Sequence, residues 1–419
     1  MNTCKLFLKS NKEESLLRFH PWVFSGAVAS IDGKPAEGDT VEVYSAGNRF
    51  LGVGHYQIGS IVVRILSFTP VRIDIAFWTE RIRQALILRR SLGLDIRQSD
   101  KSVLTRELDT RQSQETVHPL GNDIFRLIHG EGDCLPGLII DIYADTAVIQ
   151  AHSAGMHLAR KDIALALHEV LGSQIRHIYY KSEGTLPYKA GLNEENEYLW
   201  GGERKEPPVA TENGMKFHID WLKGQKTGFF IDQRENRTLL QRYAKDRTVL
   251  NMFCYTGGFS VYALQGGASL VHSVDSSAKA IALTNENVAL NFPEDTRHQA
   301  FAEDAFSFLE NMEEKYDLIV LDPPAFAKHK NVLRNALLGY RKLNALAIRK
   351  IKAGGILFTF SCSQIVSKND FRLAVFSAAA QSGRTVRILH QLTQPADHPV
   401  NIYHPEGEYL KGLVLYVND

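Results

Sequence analysis

From about residue 210 to the C-terminus the chain repeats one pattern: a short apolar run, a turn, then a helical stretch. "TVLNMF" precedes "GGFSVYALQGG", "LVHSVD" precedes "SAKAIALTNENVALN", "YDLIVLDPP" precedes a long helix reaching residue 351, and "GGILFTFSC" precedes another helix and "RTVRILHQL". Alternating strand and helix implies a parallel, doubly wound sheet. The last run, "LKGLVLYVND", follows a long loop without a helix, so it is expected to pair antiparallel, as a hairpin strand with "RTVRILHQL".

Two other regions precede this one. Residues 1–71 read as short strands and turns: "PAEGDTVEVYS", "FLGVGHY" and "SIVVRILSF" carry strand-type residues with glycines between them, the pattern of a small β-barrel. Residues 72–190 read as a compact α+β domain. It opens on a helix, "IAFWTERIRQALILRRSLG", and continues through a polar, aperiodic surface excursion from about 95 to 118. Strands in "FRLIHGEGDCLPGLIIDIYADTAVIQAHS", a helix, "HLARKDIALALHEVLG", and a strand, "IRHIYYKS", complete it. The sheet domain then spans 191–419, and a chain of 419 residues is expected to divide in this way.

Ligands of open α/β sheets bind at the C-terminal ends of the strands. The first such end, "NMFCYTGGFS", holds Tyr255 and the Gly257–Gly258 pair, where the backbone can turn sharply and a helix N-terminus can face an anionic group. It lacks the full GxGxxG and the P-loop lysine, so taken alone it leaves a dinucleotide site open. Asp275 ends the second strand, ~20 residues after the glycine turn, where an acid accepts hydrogen bonds from ribose hydroxyls; it can equally cap the next helix. Asp304, in "FAEDAFSF", suits an adenine amino group or a helix cap.

Asp322 ends a strongly apolar strand in "VLDPPAF", where two prolines stiffen the loop and Phe326 can stack on a flat substrate or fill the core. Cys362, in "FTFSCSQ", stands in the same row of strand ends: a reactive thiol, or a small buried hydrophobe. Between these two ends, Lys328 to Lys352 hold eight Lys or Arg and no Asp or Glu. Leu333, Leu337, Tyr340, Leu343, Ala347 and Ile351 form an apolar face at helical spacing, which leaves a basic face for solvent or for a phosphate backbone.

Composition narrows the classes. At 44% apolar and 23% charged residues the chain is that of a globular protein with proper cores. No apolar run approaches the ~20 residues of a membrane span, and the N-terminus is not a signal peptide. The four cysteines, Cys4, Cys134, Cys254 and Cys362, form no CxxC pair, so neither a zinc site nor a disulfide framework is supported and a cytoplasmic location is expected. The net charge of +1 gives no global sign of nucleic acid, and a polyanion would have to be held by local basic patches.

With these residues assembled, the chain resembles the RlmI-like family of bacterial 23S rRNA (cytosine-5) methyltransferases, enzymes of the class I S-adenosylmethionine-dependent type. The likeness covers nearly the whole chain. "HPWVFSGAV" and "EGDTVEV" resemble the family's N-terminal PUA domain and "GEGDCLPGLIIDIY" its central domain. "KTGFFIDQRENR", "VLNMFCYTGGFS", "VDSS", "LDPPAFAK" and "SCSQ" resemble its catalytic domain in order and spacing, and "DHPVNIYHPEGEYLKGL" its C-terminal signature. Cys134 stands where the family usually shows glycine, Cys254 where serine is common, and the 95–118 stretch is longer than the family's.

The resemblance implies a PUA β-barrel, a central α+β domain and a Rossmann-like sheet that is mostly parallel with its last strand antiparallel. It implies S-adenosylmethionine held by Lys226, Thr227, Gly228, Phe230 and Arg234 on one side and by Phe253, Tyr255, Gly257, Asp275, Asp304 and Asp322 on the other. Cys362 would add to carbon-6 of cytosine, Asp322 would hold the N3/N4 edge, and Glu406 in "YHPEGE", water or Asp322 would take the carbon-5 proton. Phe326, Lys328, Lys330, Arg18, His20 and Trp22 would meet RNA, with Trp22 as barrel core the alternative. The partner is expected to be 23S rRNA or a large-subunit assembly intermediate, with no membrane, and a homodimer is compatible with the sequence. Two other readings stand beside this one: guanine N-methylation, which needs no cysteine, and an RNA-binding assembly factor with a relict cofactor site.

Overall fold

The computed structural model describes residues 4–95, 121–187, 191–192, 195–204, 208–312, 316–327 and 329–419. Most of the polar 95–118 stretch, and Lys328, lie outside them. The chain divides into two compact units: Met1–Gly214 with Ile219–Ile231 and Ala396–Gly407, and Met215–His218 with Asp232–Pro395 and Glu408–Asp419. No described helix is long and apolar enough to cross a membrane.

The first unit begins with β1 (Cys4–Leu8), helix α1 (Glu14–Leu17), β2 (Trp22–Phe24), β3 (Val28–Asp32), β4 (Thr40–Tyr44), β5 (Phe50–Tyr56) and β6 (Ile61–Ser67). These six strands make one sheet, ordered β2-β6-β5-β4-β1-β3. Alternation sets its inner face: Val41 and Val43 of β4 are buried with Leu6, Leu8, Val63 and Ile65. The expected division at residue 71 falls between β6 and α2 (Ile75–Ser91). Asp74 caps α2 by accepting the Phe77 N–H (3.1 Å).

There follow β7 (Ile124–His129), β8 (Leu138–Tyr143), β9 (Thr146–Ala151), α3 (Ala154–Leu158), α4 (Arg160–Leu171), β10 (His177–Tyr180), β11 (Glu197–Trp200) and β12 (Val209–Glu212). Strands β11-β10-β9-β8-β7 form a second sheet. Trp78, Ile82 and Leu86, at helical spacing on α2, bury themselves with Ile163 and Leu167 of α4 against Ile140 and Ile149 of that sheet.

The second unit holds β13 (Met215–His218), α5 (Arg234–Tyr243), β14 (Thr248–Met252), α6 (Gly258–Gln265), β15 (Leu270–Asp275), α7 (Ala278–Asn291), β16 (His298–Ala302), α8 (Ala305–Asn311), β17 (Leu318–Leu321), α9 (Leu333–Lys350), β18 (Gly355–Ser361), α10 (Lys368–Ser382), β19 (Thr385–Leu392) and β20 (Lys411–Asn418). Seven of its strands form a sheet ordered β16-β15-β14-β17-β18-β20-β19. The pairs from β16 through β18 are parallel. The expected hairpin of β19 with β20 is present, with Val386 opposite Val417. The sequence did not foretell the second ladder: β20 also pairs antiparallel with β18, Ile356 opposite Tyr416, so the last strand lies inside the sheet.

Every residue of β18 is buried, as befits a strand covered on both faces. The apolar stripe predicted on α9 packs against the sheet: Tyr340, Leu343, Ala347 and Ile351 are buried in one cluster with Ile319, Leu321 and Leu357.

One backbone position in this unit needs glycine. Gly257 has φ of 76° at the N-cap of α6, and a Cβ built on it would lie 2.7 Å from the Thr284 side chain. Gly257→Ala is therefore expected to destabilise the second unit by roughly 1–3 kcal/mol, read as a lower urea midpoint at unchanged m-value.

Candidate active site

The register of the parallel ladders lines up four strand ends. Met252 pairs with Val274 and with Leu321, and Leu321 pairs with Thr359. Phe253, Asp275 and Asp322 thus follow at one level, and Cys362 projects about 7 Å beyond it along β18, two residues past the level of Asp322.

The turn after β14 is strained. Phe253 (φ 59°) and Tyr255 (φ 47°) join Gly257 in the left-handed region, which side chains other than glycine's rarely adopt. Its hydrogen bonds hold it there. Asp275 accepts the Tyr255 N–H through Oδ2 (3.1 Å) and the Ser277 N–H through Oδ1 (2.9 Å), while Thr284 Oγ1 donates to the Tyr255 carbonyl (2.9 Å). Ser277, not Asp275, caps α7. Asp304 does cap α8, accepting the Ser307 N–H (3.0 Å), and it is exposed.

Asp322 carries the strongest electrostatic signal. Burial, then the charge of Asp232, push its carboxyl up to about 7, against the hydrogen bond of Gln233 and the charge of Arg237. Asp232 is held by the Tyr409 hydroxyl, which donates to Oδ2 (2.7 Å), while its buried Oδ1 has no partner among the described residues. Such a buried carboxylate oxygen fits the ammonium of an amino acid, and Asp275, bonded to the strained glycine-containing turn, fits ribose hydroxyls. These residues therefore fit S-adenosylmethionine. Asp232, Gln233 and Arg237 escaped the sequence reading, although "IDQRENR" lay within the quoted motif. Two acids as far apart in the chain as Asp232 and Asp322 give no local pattern.

The Cys362 turn is fastened to the Asp322 loop: the Ser363 hydroxyl donates to the Ala327 carbonyl (2.7 Å). Burial first, then the charges of Asp322 and Asp232, push the Cys362 thiol up to about 12, with Lys411 acting the other way. Cys254 is also pushed up to about 12 by burial, lies against Thr284 Oγ1 (3.6 Å) and packs as expected. Phe326 packs in a tilted arrangement against Tyr340, ring centroids 4.7 Å apart and planes at 40°, so it is partly absorbed by the core.

The basic run of α9 is partly absorbed within the fold. Lys342 pairs with Glu310 (3.2 Å), Lys350 donates to the Glu310 and Met312 carbonyls, and Lys352 pairs with Asp317 (3.1 Å). Arg334 and Arg349 stay exposed. Lys330 opens the single turn ahead of α9.

The remaining site candidates fall on both units. Arg234 begins α5 in the second unit and is fully buried, its Nε 3.4 Å from Glu235. Lys226, Thr227, Gly228 and Phe230 belong to the first unit. Thr227 is fully buried there, donating to Asp141 Oδ2 (2.6 Å) and hydrogen-bonded to the Tyr143 hydroxyl (2.9 Å), so its side chain serves the framework. Lys226 (φ 51°) and Gly228 (φ 116°) flank it in left-handed backbone.

Also in the first unit, Arg18 is exposed, 2.5 Å from Glu14. Trp22 is not in the barrel core. Its Nε1–H donates to Glu131 (2.9 Å), and its ring meets His404 at 4.3 Å. His20, His404 and Glu406 place one ligand-type atom each within 4.8 Å of the others. The Trp22 N–H donates to His20 Nδ1 (3.2 Å), which puts the proton of the neutral ring on Nε2, facing Glu406 (3.7 Å). That tautomer leaves no lone pair on Nε2 for a cation, and 3.7 Å is too long for a hydrogen bond to Glu406. Glu406 is thus brought together with two histidines of its own unit.

Residues 166–407 match the family described as S-adenosylmethionine-dependent methyltransferase, and residues 6–68 match the PUA-like domain. A chain from Streptococcus mutans described as a SAM-dependent methyltransferase shares the fold at TM-score 0.78 and 23% identity, over 98% of this chain and 99% of that one. A methyltransferase crystallised with SAH matches at TM-score 0.79 and 23% identity, with the same coverage. Fold and strand-end site together define an S-adenosylmethionine-dependent methyltransferase.

Relatives called ribosomal RNA large subunit methyltransferase I, from Tolumonas auensis and Aeromonas salmonicida, are each 38% identical over 98% of both chains. One from Escherichia coli is 38% identical over 99% of both. The chain belongs to the ribosomal RNA large subunit methyltransferase I family.

The raised Asp322 carboxyl carries a stability signature. An acid whose folded pKa exceeds its unfolded value binds a proton that the unfolded chain lacks, so stability falls as pH climbs from about 4 to about 7. Asp322→Asn removes that penalty. The variant is expected to unfold roughly 4 kcal/mol harder than wild type at pH 8, the difference vanishing below pH 4 in parallel denaturation curves.

Proposed function

We propose that the chain methylates carbon-5 of a cytosine in large-subunit ribosomal RNA through a covalent adduct on Cys362. The observation that carries this reading is the Cys362 turn, fastened by Ser363 to the loop that bears Asp322. The names of the relatives support the rRNA substrate, free or within an assembling particle, and such a substrate places the reaction in the cytoplasm.

Carbon-5 of cytosine is not nucleophilic by itself. The Cys362 thiolate adds to carbon-6 while Asp322, protonated near neutral pH, donates to N3. The adduct is an enamine whose carbon-5 carries the electron pair. Asp275 and Asp232 would hold S-adenosylmethionine, which would supply an electrophilic methyl group for that carbon and leave as the neutral thioether. The carbon-5 proton then leaves to a base, for which the sequence offers Glu406, water or Asp322. The electron pair of that bond restores the carbon-5–carbon-6 double bond and expels the thiolate, and N3 returns its proton to Asp322. The target base must leave its stack to reach the thiol. Exposed Phe19, Phe24 and Tyr403 near Arg18, His20 and Trp22 in the first unit offer stacking faces for flanking unpaired bases.

Two measurements test the reading. RNA carrying 5-fluorocytidine, whose carbon-5 fluorine blocks release, is expected to form a denaturation-resistant adduct with wild type and none with Cys362→Ala. Full methylation by that variant would sink the assignment, and loss of a methylguanosine rather than 5-methylcytidine from rRNA of a deletion strain would favour guanine chemistry.

The second measurement is the pH profile. A reaction needing Asp322 protonated and Cys362 ionised gives kcat/KM that rises about tenfold per pH unit up to about pH 7 and is level above it. In Asp322→Asn the rise continues past pH 7 from a lower base. A slope of about a hundredfold per unit below pH 7 in wild type would mean that Asp322 acts ionised instead.

A further inference from the structure

We propose that the Lys411 ammonium is the positioning cation of the nucleophile: it fixes the turn that carries Cys362 and supplies the positive charge against which the thiolate forms. The inference deepens the proposed reaction and rests on it for its catalytic meaning.

The geometry begins with the unexpected ladder. The antiparallel pairing of β18 and β20 sets Lys411 directly across from Ser361, the residue before Cys362. Its Nζ donates to the Ser363 carbonyl (2.5 Å) and the Val366 carbonyl (2.8 Å), both on the far side of Cys362 in sequence. Lys411 therefore spans the Cys362 turn, its backbone paired with the residue before the cysteine and its ammonium bonded to two carbonyls after it.

Lys411 is 5% exposed, and a buried ammonium is costly unless paired. Two carbonyls satisfy two of its three donors and none of its charge. The nearest acid in sequence, Glu408, pairs with Lys368 instead. A turn that merely needed two donors for two carbonyls would be served by a neutral amide. Among the described residues, the negative charges that favour the ammonium are that of the ionised Cys362 thiol, the larger of the two, and that of Glu408.

The surrounding groups set the balance. Asp322 in the loop after β17 and Asp232 ahead of α5 oppose thiolate formation, and Tyr340 on α9 lies within the same field. Among the described residues, Lys411 is the one cation of the groups that shift the thiol. Burial lowers the ammonium to about 8, Cys362 and Glu408 act to raise it, and Lys368 on α10 acts to lower it.

The test reads the thiol directly. Alkylation of Cys362 by iodoacetamide is followed by peptide mass spectrometry across pH, with exposed Cys134 of the same sample as internal standard. Lys411→Gln keeps donors for the carbonyls and loses the charge. It is expected to slow Cys362 alkylation about tenfold at pH 8, while Lys411→Arg stays within about threefold of wild type. Superimposable profiles for Lys411→Gln and wild type, or an Arg variant as slow as the Gln one, would overturn the proposal.

If Lys411→Gln does not fold, wild type alone decides. Coupling to a lysine that loses its charge near pH 8 must flatten the logarithmic rate profile of Cys362 between about pH 7.5 and 9, where Cys134 gains about tenfold per unit. A Cys362 profile parallel to that of Cys134 would end the idea. Methylation assays of Cys362→Ala separate the two levels. Full activity would remove the catalytic meaning and leave the alkylation result standing, whereas loss of activity with unaltered alkylation in Lys411→Gln would remove Lys411 alone.

Discussion

The placement of β20 between β18 and β19 is the constraint on which the second unit depends. It is antiparallel to both neighbours, so it closes the hydrogen bonding of β18, whose residues are all buried. Without it β18 would present a buried, unpaired edge, and a buried edge leaves a row of backbone donors and acceptors unsatisfied. The same ladder fixes what stands beside Cys362, because register in a buried strand cannot slip by one residue without turning every side chain to the other face. One pairing thus settles the sheet's integrity and the chemistry at its rim.

Around that rim the charges are arranged against early ionisation. The charge of Asp232 makes Asp322 harder to ionise, and the two acids together make the Cys362 thiol harder to ionise. A thiol held at about 12 is inert to oxidation and to stray electrophiles at neutral pH. The Asp322 carboxyl at about 7 belongs to the same neighbourhood. The two shifts have one origin, burial with like charge.

The fold was largely legible because alternation of strand and helix is written in the local sequence, and so were the strand-end residues that alternation delivers: Phe253, Asp275, Asp322 and Cys362. What depends on distant pairing was not. "LKGLVLYVND" reads as a strand, but nothing in it says that it inserts beside "GILFTFS", so Lys411 looked like an ordinary charged residue at a strand start. Asp232 was hidden for the same reason. The basic run from Lys328 to Lys352 looked like an open face, yet Glu310 and Asp317 on neighbouring elements take up three of its lysines. Trp22 reads from the sequence as an RNA contact or as barrel core, and its hydrogen bond to the distant acid Glu131 has no local signal.

The C-terminal signature shows how a family motif can be structural. Asp397 in "DHPVNIYHPEGE" is fully buried in the first unit, where its carboxylate accepts the Arg126 N–H (3.0 Å) and its carbonyl accepts from Arg89 (2.9 Å). Arg89, itself fully buried, grips Asp133 with both terminal nitrogens, and Arg126 does likewise to Asp141 through Nε and Nη2. Asp141 in turn accepts from Thr227. Buried ions repay their desolvation only when every partner is in place, so such a network discriminates sharply between the docked segment and any other. Gly132 belongs to the same logic: a Cβ there would lie 1.9 Å from the Pro399 carbonyl oxygen. Residues 396–407 are thus held by charge pairing and close backbone approach, and this anchorage accounts for Asp397 in one stretch and for Asp133 and Gly132 in the other.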